Sequence, residues 1–391
     1  MTAGPEPGRA PFWPRRSPAF LSARRAVRAA FSDAAPRGVV VGLSGGADSL
    51  ALTAACIAEV AWPPDAGART PNARGSGGAG GADGADGAHG TGANVAPVHA
   101  VVVDHGLQRG SGEVARRAAD AVRELGATAE IIAVDVPDDP AAGGPEAAAR
   151  TARHAALHDV AARLGRPLLL AHTLDDQAET VLLALARGSG PTALSGMADD
   201  RTWADGVRVL RPLIGLRRAD TEETCAELGL DPWHDPHNTD RRFARARARH
   251  DALPILEELL GPGIAQNLAR TAALARRDAR ALDDWAADAV TRALGDDGKL
   301  RLGDVGKLPE AVRTRALKKW AEGSGAGALT AANVTALDKL VTERNGRGPV
   351  ALPAAQPGGR LVVARKGGTL AVSRGFTAPP RSRSEPRSDP K

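Results

Sequence analysis

The sequence predicts an α/β protein with three parts. A doubly wound parallel sheet is followed by a mostly helical second domain and a small C-terminal α+β region. Two observations carry the first part. Short β-branched apolar runs alternate with stretches of helical periodicity from Val39 onward, the pattern of strands joined by crossover helices. Clusters of small, polar and acidic residues then fall at the carboxyl ends of those runs, where open parallel sheets bind their ligands. A third observation marks the boundary: after about Asp240 the alternation gives way to long helical stretches rich in arginine.

In chain order, residues 1–35 read as a flexible leader, over roughly the first twenty residues, and a first helix. Residues 38–43, Gly-Val-Val-Val-Gly-Leu, form the first strand, and residues 50–56 open a helix. Residues 98–104 read as the second strand, 129–134 as the third, 167–172 as the fourth and 208–210 as a short fifth. Helical segments lie at 113–125, 146–164 and 175–186, and a catalytic domain is expected over 36–240. Residues 74–93 are nearly all Gly, Ala, Asp and Ser, too poor in apolar surface to order themselves, and read as a disordered insertion. A helical domain over 241–325 contains stretches at 264–294 and 309–322. A small region over 326–375 holds a helix at 331–344 and strands at 350–352, 360–363 and 369–372. Residues 376–391, rich in Pro, Ser and Arg, read as a disordered tail.

With 391 residues, 43% of them hydrophobic, the chain has room for two or three domains and a large core. No apolar run approaches the length of a bilayer crossing, and the Pro- and Arg-rich start lacks a secretory apolar segment, so a cytoplasmic protein without membrane partners is expected. Cys56 and Cys225 lie too far apart for a disulfide framework or a four-thiolate zinc site, and both read as small core residues on helices. Net charge is +5, which permits a polyanionic partner. Tyr is absent and aromatics are 3%, which argues against a base-stacking platform. The oligomeric state is left open, a homodimer among the states allowed.

Ser44-Gly45-Gly46-Ala47-Asp48-Ser49 follows the first strand and opens a helix, the arrangement of a phosphate site. Gly45 and Gly46 let backbone N–H groups approach an anion, and Ser44 and Ser49 add hydroxyl donors. Asp48 repels bare phosphate, so it is expected to act through Mg²⁺. The string is neither Gly-x-x-x-x-Gly-Lys-[Ser/Thr] nor Gly-x-Gly-x-x-Gly, so neither the common P-loop nor a dinucleotide fold is indicated. Thr173-Leu174-Asp175-Asp176-Gln177-Ala178-Glu179 sits where the fourth strand meets a helix. Asp175 and Asp176 share a face with Glu179, and like charges at that spacing need a compensating cation, either Mg²⁺ or a substrate ammonium. Read as structure alone, they are first-turn acids with Thr173 as the helix cap. Glu146, Arg150, Arg153 and His154 share a third helical face, able to neutralise phosphate charge or simply to meet solvent. Asp104 and His105 end the second strand, near the nucleotide or in a plain capped turn, and His172 reads equally as a ligand or a core residue.

Ser-Gly-Gly-x-Asp-Ser resembles the pyrophosphate loop of ATP pyrophosphatases, enzymes that cleave ATP between the α and β phosphates. Taken with Val103–Leu107, Glu146–Arg153, Ala171–Thr180, Arg187-Gly188-Ser189-Gly190, Leu194–Met197, Arg211-Pro212-Leu213, Asp235–Asn238 and the arginines before Pro254, the set closely resembles the tRNA(Ile)-lysidine synthase family over roughly residues 36–260. That resemblance implies ATP-dependent joining of L-lysine to C2 of the wobble cytidine of a tRNA(Ile) with a CAU anticodon, through an adenylated tRNA. Carried over, Ser44, Gly45, Gly46, Ala47, Asp48 and Ser49 hold ATP together with Asp104 and His105. Asp48 and Asp175 meet Mg²⁺, Asp176 and Glu179 face the lysine, and Arg150 meets transition-state charge or the lysine carboxylate. Arg245, Arg247 and Arg249 touch tRNA phosphates. The chain departs from the family pattern at Thr173, where a second His is common, and at His237, where Ser is usual. Residues 241–280 hold nine arginines against four acids, consistent with an RNA-facing segment. Two other readings keep the loop: a tRNA thiolase, disfavoured because no Cys-x-x-Cys is present, and a small-molecule amide ligase, disfavoured by the arginine segment.

Overall fold

The computed structural model describes residues 13, 17–31, 37–61, 97–106, 110–136, 145–188, 190–343, 348–356 and 359–375. The leader before Trp13, the 74–93 insertion and the 376–391 tail lie outside the described residues. The chain divides into two compact units, Met1–Leu274 and Ala275–Lys391.

The first unit is built on a six-stranded sheet of order β3-β2-β1-β4-β6-β5. Its strands are β1 (Val39–Leu43), β2 (Val98–Asp104), β3 (Thr128–Ala133), β4 (Leu168–Leu169), β5 (Asp200–Thr202) and β6 (Arg208–Leu210). All neighbours run parallel except β5 against β6. The helices are α1 (Pro18–Ala30), α2 (Ala47–Cys56), α3 (Ser111–Glu124), α4 (Pro145–Leu164), α5 (Leu174–Ala186), α6 (Pro191–Leu194), α7 (Arg218–Leu228), α8 (Ala244–Arg247) and α9 (Leu253–Leu260). The division between the units falls within α10 (Ile264–Ala293).

Strand β1 is buried on both faces, which is why it reads as an unbroken apolar run. Val39, Val41 and Leu43 pack with α1, α2 and α3 on one side. Val40 packs with Leu157, Val160 and Ala161 of α4 on the other. Helix α2 lies inside this double layer, and all its residues from Ser49 to Cys56 are buried; it contacts α1 and α7 as well as the sheet. Cys56 on α2 and Cys225 on α7 are both buried, as the sequence suggests.

Sheet order locates the ligand crevice. From β1 the chain runs outward through β2 and β3, then returns to place β4 and β6 on the opposite side of β1. The order therefore reverses between β1 and β4, and the loops after those two strands diverge to leave a crevice beyond their carboxyl ends. The Ser44–Ser49 loop follows β1, and the Thr173–Glu179 string follows β4.

Three elements differ from the sequence reading. Helix α1 starts at Pro18, inside the expected leader, because Phe20, Ala23 and Val27 form an apolar stripe buried in the core, with the Phe20 ring 5.1 Å from that of Trp13. Strand β4 pairs only over Leu168–Leu169, shorter than the six-residue run. Strand β5 has no counterpart among the expected strands because Asp200, Arg201 and Thr202 carry no apolar signal. Pairing with β6 and the Arg208–Asp200 ion pair (2.6 Å) form it.

The second unit holds a four-stranded antiparallel sheet of order β7-β10-β9-β8, made of β7 (Leu300–Arg301), β8 (Val350–Pro353), β9 (Arg360–Lys366) and β10 (Thr369–Gly375). With it go α11 (Leu302–Val305), α12 (Glu310–Gly323) and α13 (Ala331–Thr342). Leu317 and Trp320 of α12, Leu337 and Leu340 of α13, and Leu352, Leu361, Val363 and Leu370 of the sheet share one buried cluster. The helix and three strands expected over 326–375 are present as α13, β8, β9 and β10, and they share this core with β7, α11 and α12 from the stretch read as part of the helical domain over 241–325.

Candidate active site

The loop after β1 is held by its own serines. The Ser44 N–H donates to Ser49 Oγ at 3.1 Å, the two hydroxyls lie 3.2 Å apart, and Ser49 Oγ donates to the Gly46 carbonyl at 3.0 Å. Gly45 adopts φ +83°, a left-handed conformation suited to glycine, and a Cβ there would lie 3.1 Å from that of Ala118. Gly46 precedes the first turn of α2 in an extended conformation. The first N–H groups of α2 thus point out of the helix end, with the positive end of its dipole, toward the crevice.

Helix α5 is capped as its sequence indicates. The Thr173 N–H donates to Asp176 Oδ2 at 2.8 Å, and the Asp176 N–H donates back to Thr173 Oγ1 at 3.4 Å. Gln177 pins a neighbouring loop, donating to the Met197 carbonyl at 2.9 Å and accepting from the Met197 N–H at 2.7 Å. The cation expected opposite these acids is supplied by the protein itself. Glu179 is fully buried and accepts from Arg245 Nε at 2.8 Å and Arg249 Nε at 2.6 Å. Asp176 pairs with Arg218 at 3.0 Å and with Arg249 at 3.5 Å. Arg245 and Arg249 lie four residues apart, on α8 and on the π-helical turn Ala248–Ala252 that joins it to α9. Helix α7 contributes Arg218 at its N-terminus and, one turn on, Thr221, whose hydroxyl donates to Asp48 Oδ1. Arg218 also reaches Asp48 Oδ2 at 3.1 Å.

Asp176, Arg218, Arg245 and Arg249 line a cavity of about 550 Å³ that also takes in Ser44, Gly46, Ala47, Asp48, Ser49, Asp104, His105, Arg150, His154 and His172. Burial pushes the Asp48 carboxyl up to about 6; Arg218 and Thr221 pull against it. Burial also acts to raise Asp176, but Arg218, the Thr173 N–H and Arg245 hold it below the usual carboxylate range. His154 is pushed down to about 4 by burial and by the guanidiniums of Arg150, Arg153 and Arg211. His172 is pushed down to about 3, mainly by burial, while accepting from Arg211 Nε at 3.2 Å. Both imidazoles are therefore neutral around pH 7. Nδ1 of His105 is buried with no hydrogen-bond partner among the described residues, a polar atom open to a ligand in the cavity wall. Among the described residues no group of three or more His, Cys, Asp or Glu side chains is arranged to hold a metal ion. Mg²⁺ needs less, since one or two carboxylates and substrate phosphates complete its shell. Asp48, in the first turn of α2 and in the cavity wall, fits that need.

Three residues named from sequence are placed elsewhere. Asp175 does not line the cavity: its carboxylate accepts from Arg217 Nε at 3.0 Å and the Arg218 N–H at 2.7 Å, and so anchors the start of α7. Arg247 donates to the carbonyls of Arg241 and Arg242, both at 2.8 Å, and also lies off the cavity. Glu179 sits behind its two arginines. Sequence reading does not reach Arg218 and Thr221, because an arginine and a threonine on a polar helix with almost no apolar periodicity carry no local signal. The Arg211-Pro212-Leu213 string before them was the nearest one.

The fold and the loop define the class of protein, a PP-loop ATP-binding enzyme. Residues 21–256 match the PP-loop domain, and residues 300–370 match the TilS substrate binding domain. The chain is 46% identical over 357 residues to the tRNA(Ile)-lysidine synthase of Rhodococcus erythropolis, covering 90% of this chain and 95% of that protein. The Salinispora arenicola tRNA(Ile)-lysidine synthase is 46% identical over 363 residues, covering 91% and 97%. That of Mycobacterium tuberculosis is 43% identical over 339 residues, covering 85% and 90%. The chain belongs to the tRNA(Ile)-lysidine synthase family and is an ATP-dependent ligase of that family. No helix among the described residues is long and apolar enough to cross a membrane.

Proposed function

We propose that the chain joins L-lysine to C2 of the wobble cytidine of a CAU-anticodon tRNA(Ile), with ATP consumed to AMP and pyrophosphate. The observation that carries this reading is the convergence, around one cavity, of the Ser44–Ser49 loop, Asp176, Arg245 and Arg249, with Glu179 buried behind the two arginines. In the first step the cytidine C2 oxygen attacks the α-phosphorus and pyrophosphate departs. The loop N–H groups and the Ser44 and Ser49 hydroxyls hold the leaving pyrophosphate, and the helix end favours its charge. Asp48 would hold Mg²⁺, which would supply charge neutralisation at the phosphates. The Nδ1 of His105 and the carboxylate of Asp104 serve the nucleotide, and Arg150 meets charge on the transferring phosphoryl group or the lysine carboxylate.

In the second step the lysine ε-amine attacks C2, the bond from C2 to the adenylate oxygen breaks, AMP leaves and the amine gives up a proton. Asp176, in the cavity wall, pairs with the substrate's ammonium groups, while Glu179 acts from behind by fixing Arg245 and Arg249. The two arginines in turn orient Asp176, and Arg247, with the arginines over 241–325, contacts tRNA phosphates. A cytoplasmic setting follows from the tRNA substrate. The thiolase reading is disfavoured by the thiols themselves: burial raises both, Cys225 to about 12, so neither is a ready sulfur carrier.

The test is incorporation of labelled lysine. Purified protein with ATP and Mg²⁺ should label an isoleucine tRNA with a CAU anticodon and leave the methionine tRNA with the same anticodon unlabelled. No incorporation by folded protein overturns the reading, and transfer of sulfur in place of lysine moves it to the thiolase class.

A further inference from the structure

Arg218 joins the two halves of the cavity. One terminal nitrogen of its guanidinium binds Asp48 Oδ2 at 3.1 Å, and the other binds Asp176 Oδ1 at 3.0 Å and approaches Thr173 Oγ1 at 3.5 Å. Its backbone is fixed separately, its N–H donating to Asp175 Oδ2 at 2.7 Å. All three side chains are mostly shielded, with 24% of Arg218, 20% of Asp48 and 13% of Asp176 exposed. Asp48 belongs to the first turn of the helix after β1 and Asp176 to that of the helix after β4, so the guanidinium spans the point at which the strand order reverses. Two carboxylates facing one cavity repel, and a planar guanidinium with donors at both ends sets their separation as well as offsetting their charge. An ammonium carries charge but has no such fork.

We propose that Arg218 is a positioning residue shared by both steps, holding the loop acid Asp48 in fixed relation to Asp176 so that nucleotide and amine are presented to the same base. The inference rests on the function proposed above. Thr221 supplies a control, because its hydroxyl meets Asp48 and the Arg218 backbone carbonyl (2.7 Å) but not Asp176 or the guanidinium. Disturbing Thr221 therefore perturbs chiefly the nucleotide half, since the Arg218 backbone keeps its Asp175 anchor, while disturbing the Arg218 side chain perturbs both.

The experiment compares wild type, Arg218→Lys, Arg218→Met and Thr221→Val. It uses calorimetric titration with Mg–ATP and single-turnover discharge of pre-adenylated tRNA over a range of lysine concentrations. Arg218→Lys should weaken Mg–ATP binding about tenfold and raise the half-saturating lysine concentration about tenfold, each the loss of roughly one charge-assisted hydrogen bond. Arg218→Met should exceed both. Thr221→Val should weaken Mg–ATP binding and leave the lysine dependence at the wild-type value. A purely structural role for Arg218 would instead lower the melting temperature and the active fraction, with half-saturation constants unchanged, and that result overturns the proposal. So does an Arg218→Lys protein that melts and titrates as wild type. Should Arg218→Met fail to fold, Arg218→Lys decides alone. Failure of wild type to incorporate lysine would overturn the proposed function, whereas the Mg–ATP titrations still report on Arg218.

Discussion

Glu179 and Arg249 meet at 2.6 Å between Oε1 and Nε, with the Glu179 side chain wholly buried and the arginine 22% exposed. Arg245 closes the other oxygen at 2.8 Å. A buried carboxylate with two guanidiniums is stable only as a unit, since removal of one member leaves the others desolvated without a partner. Glu179→Ala should therefore lower unfolding free energy by roughly 2–4 kcal/mol, somewhat below the range for fully buried pairs because the arginines retain some solvent. Chemical denaturation measures this. Glu179→Gln keeps the packing and one acceptor oxygen but not the charge; its stability should fall between those of Glu179→Ala and wild type, and the displaced Arg245 and Arg249 should raise the half-saturating lysine concentration.

The His154 imidazole, held down to about 4, makes stability sensitive to acid. An unfolded histidine takes its proton near pH 6.5, so between about 6.5 and 4 the unfolded chain binds the proton and the folded chain does not. The contribution is present above 6.5 and is lost as pH falls through that window. His154→Gln should flatten the fall in melting temperature between pH 6.5 and 4. Some slope should remain, since His172 shifts in the same direction. An unchanged slope would mean that His154 titrates freely.

Gly45→Ala places a side chain at φ +83° and within 3.1 Å of Ala118 Cβ. The backbone strain alone is about 1–2 kcal/mol. Because the Gly45 carbonyl also accepts the Trp233 N–H at 3.0 Å, a shift of the loop also disturbs that wall of the cavity. The expected outcome is a raised KM for ATP with the lysine dependence little changed, read by pyrophosphate release.

Arg247 and Arg249 lie two residues apart and should behave differently. Arg247→Ala should reduce the slope of log affinity against log salt for tRNA by about 0.7–0.9, the share of one phosphate contact, and leave lysine half-saturation alone. Arg249→Ala should raise lysine half-saturation and lower stability, because it strips Glu179 and Asp176 of a partner. Filter binding across a salt series and steady-state kinetics distinguish the two.

Much of this was legible in the chain itself. The alternation of apolar runs and helical periodicity gave the order of strands and helices, and residues that serve one short segment could be read from it. Ser44, Ser49, Gly45 and Gly46 act on one another within a few positions, and Thr173 caps α5 from three residues before Asp176. Helix and strand geometry set such contacts, so spacing along the chain is enough to find them. What lay outside the sequence was the choice of partner for each charge. Asp175 and Asp176 are neighbours, yet the first anchors the start of α7 and the second lines the cavity. Arg218 and Thr221 reach Asp48 from 170 and 173 residues away. Arg245 and Arg249 turn to Glu179, while Arg247 on the same stretch binds exposed carbonyls. Packing of α7 against α2 and the course of the chain through α8 and α9 decide these pairings. Burial then enforces them, because a carboxylate removed from water must take whichever cation the fold has brought beside it.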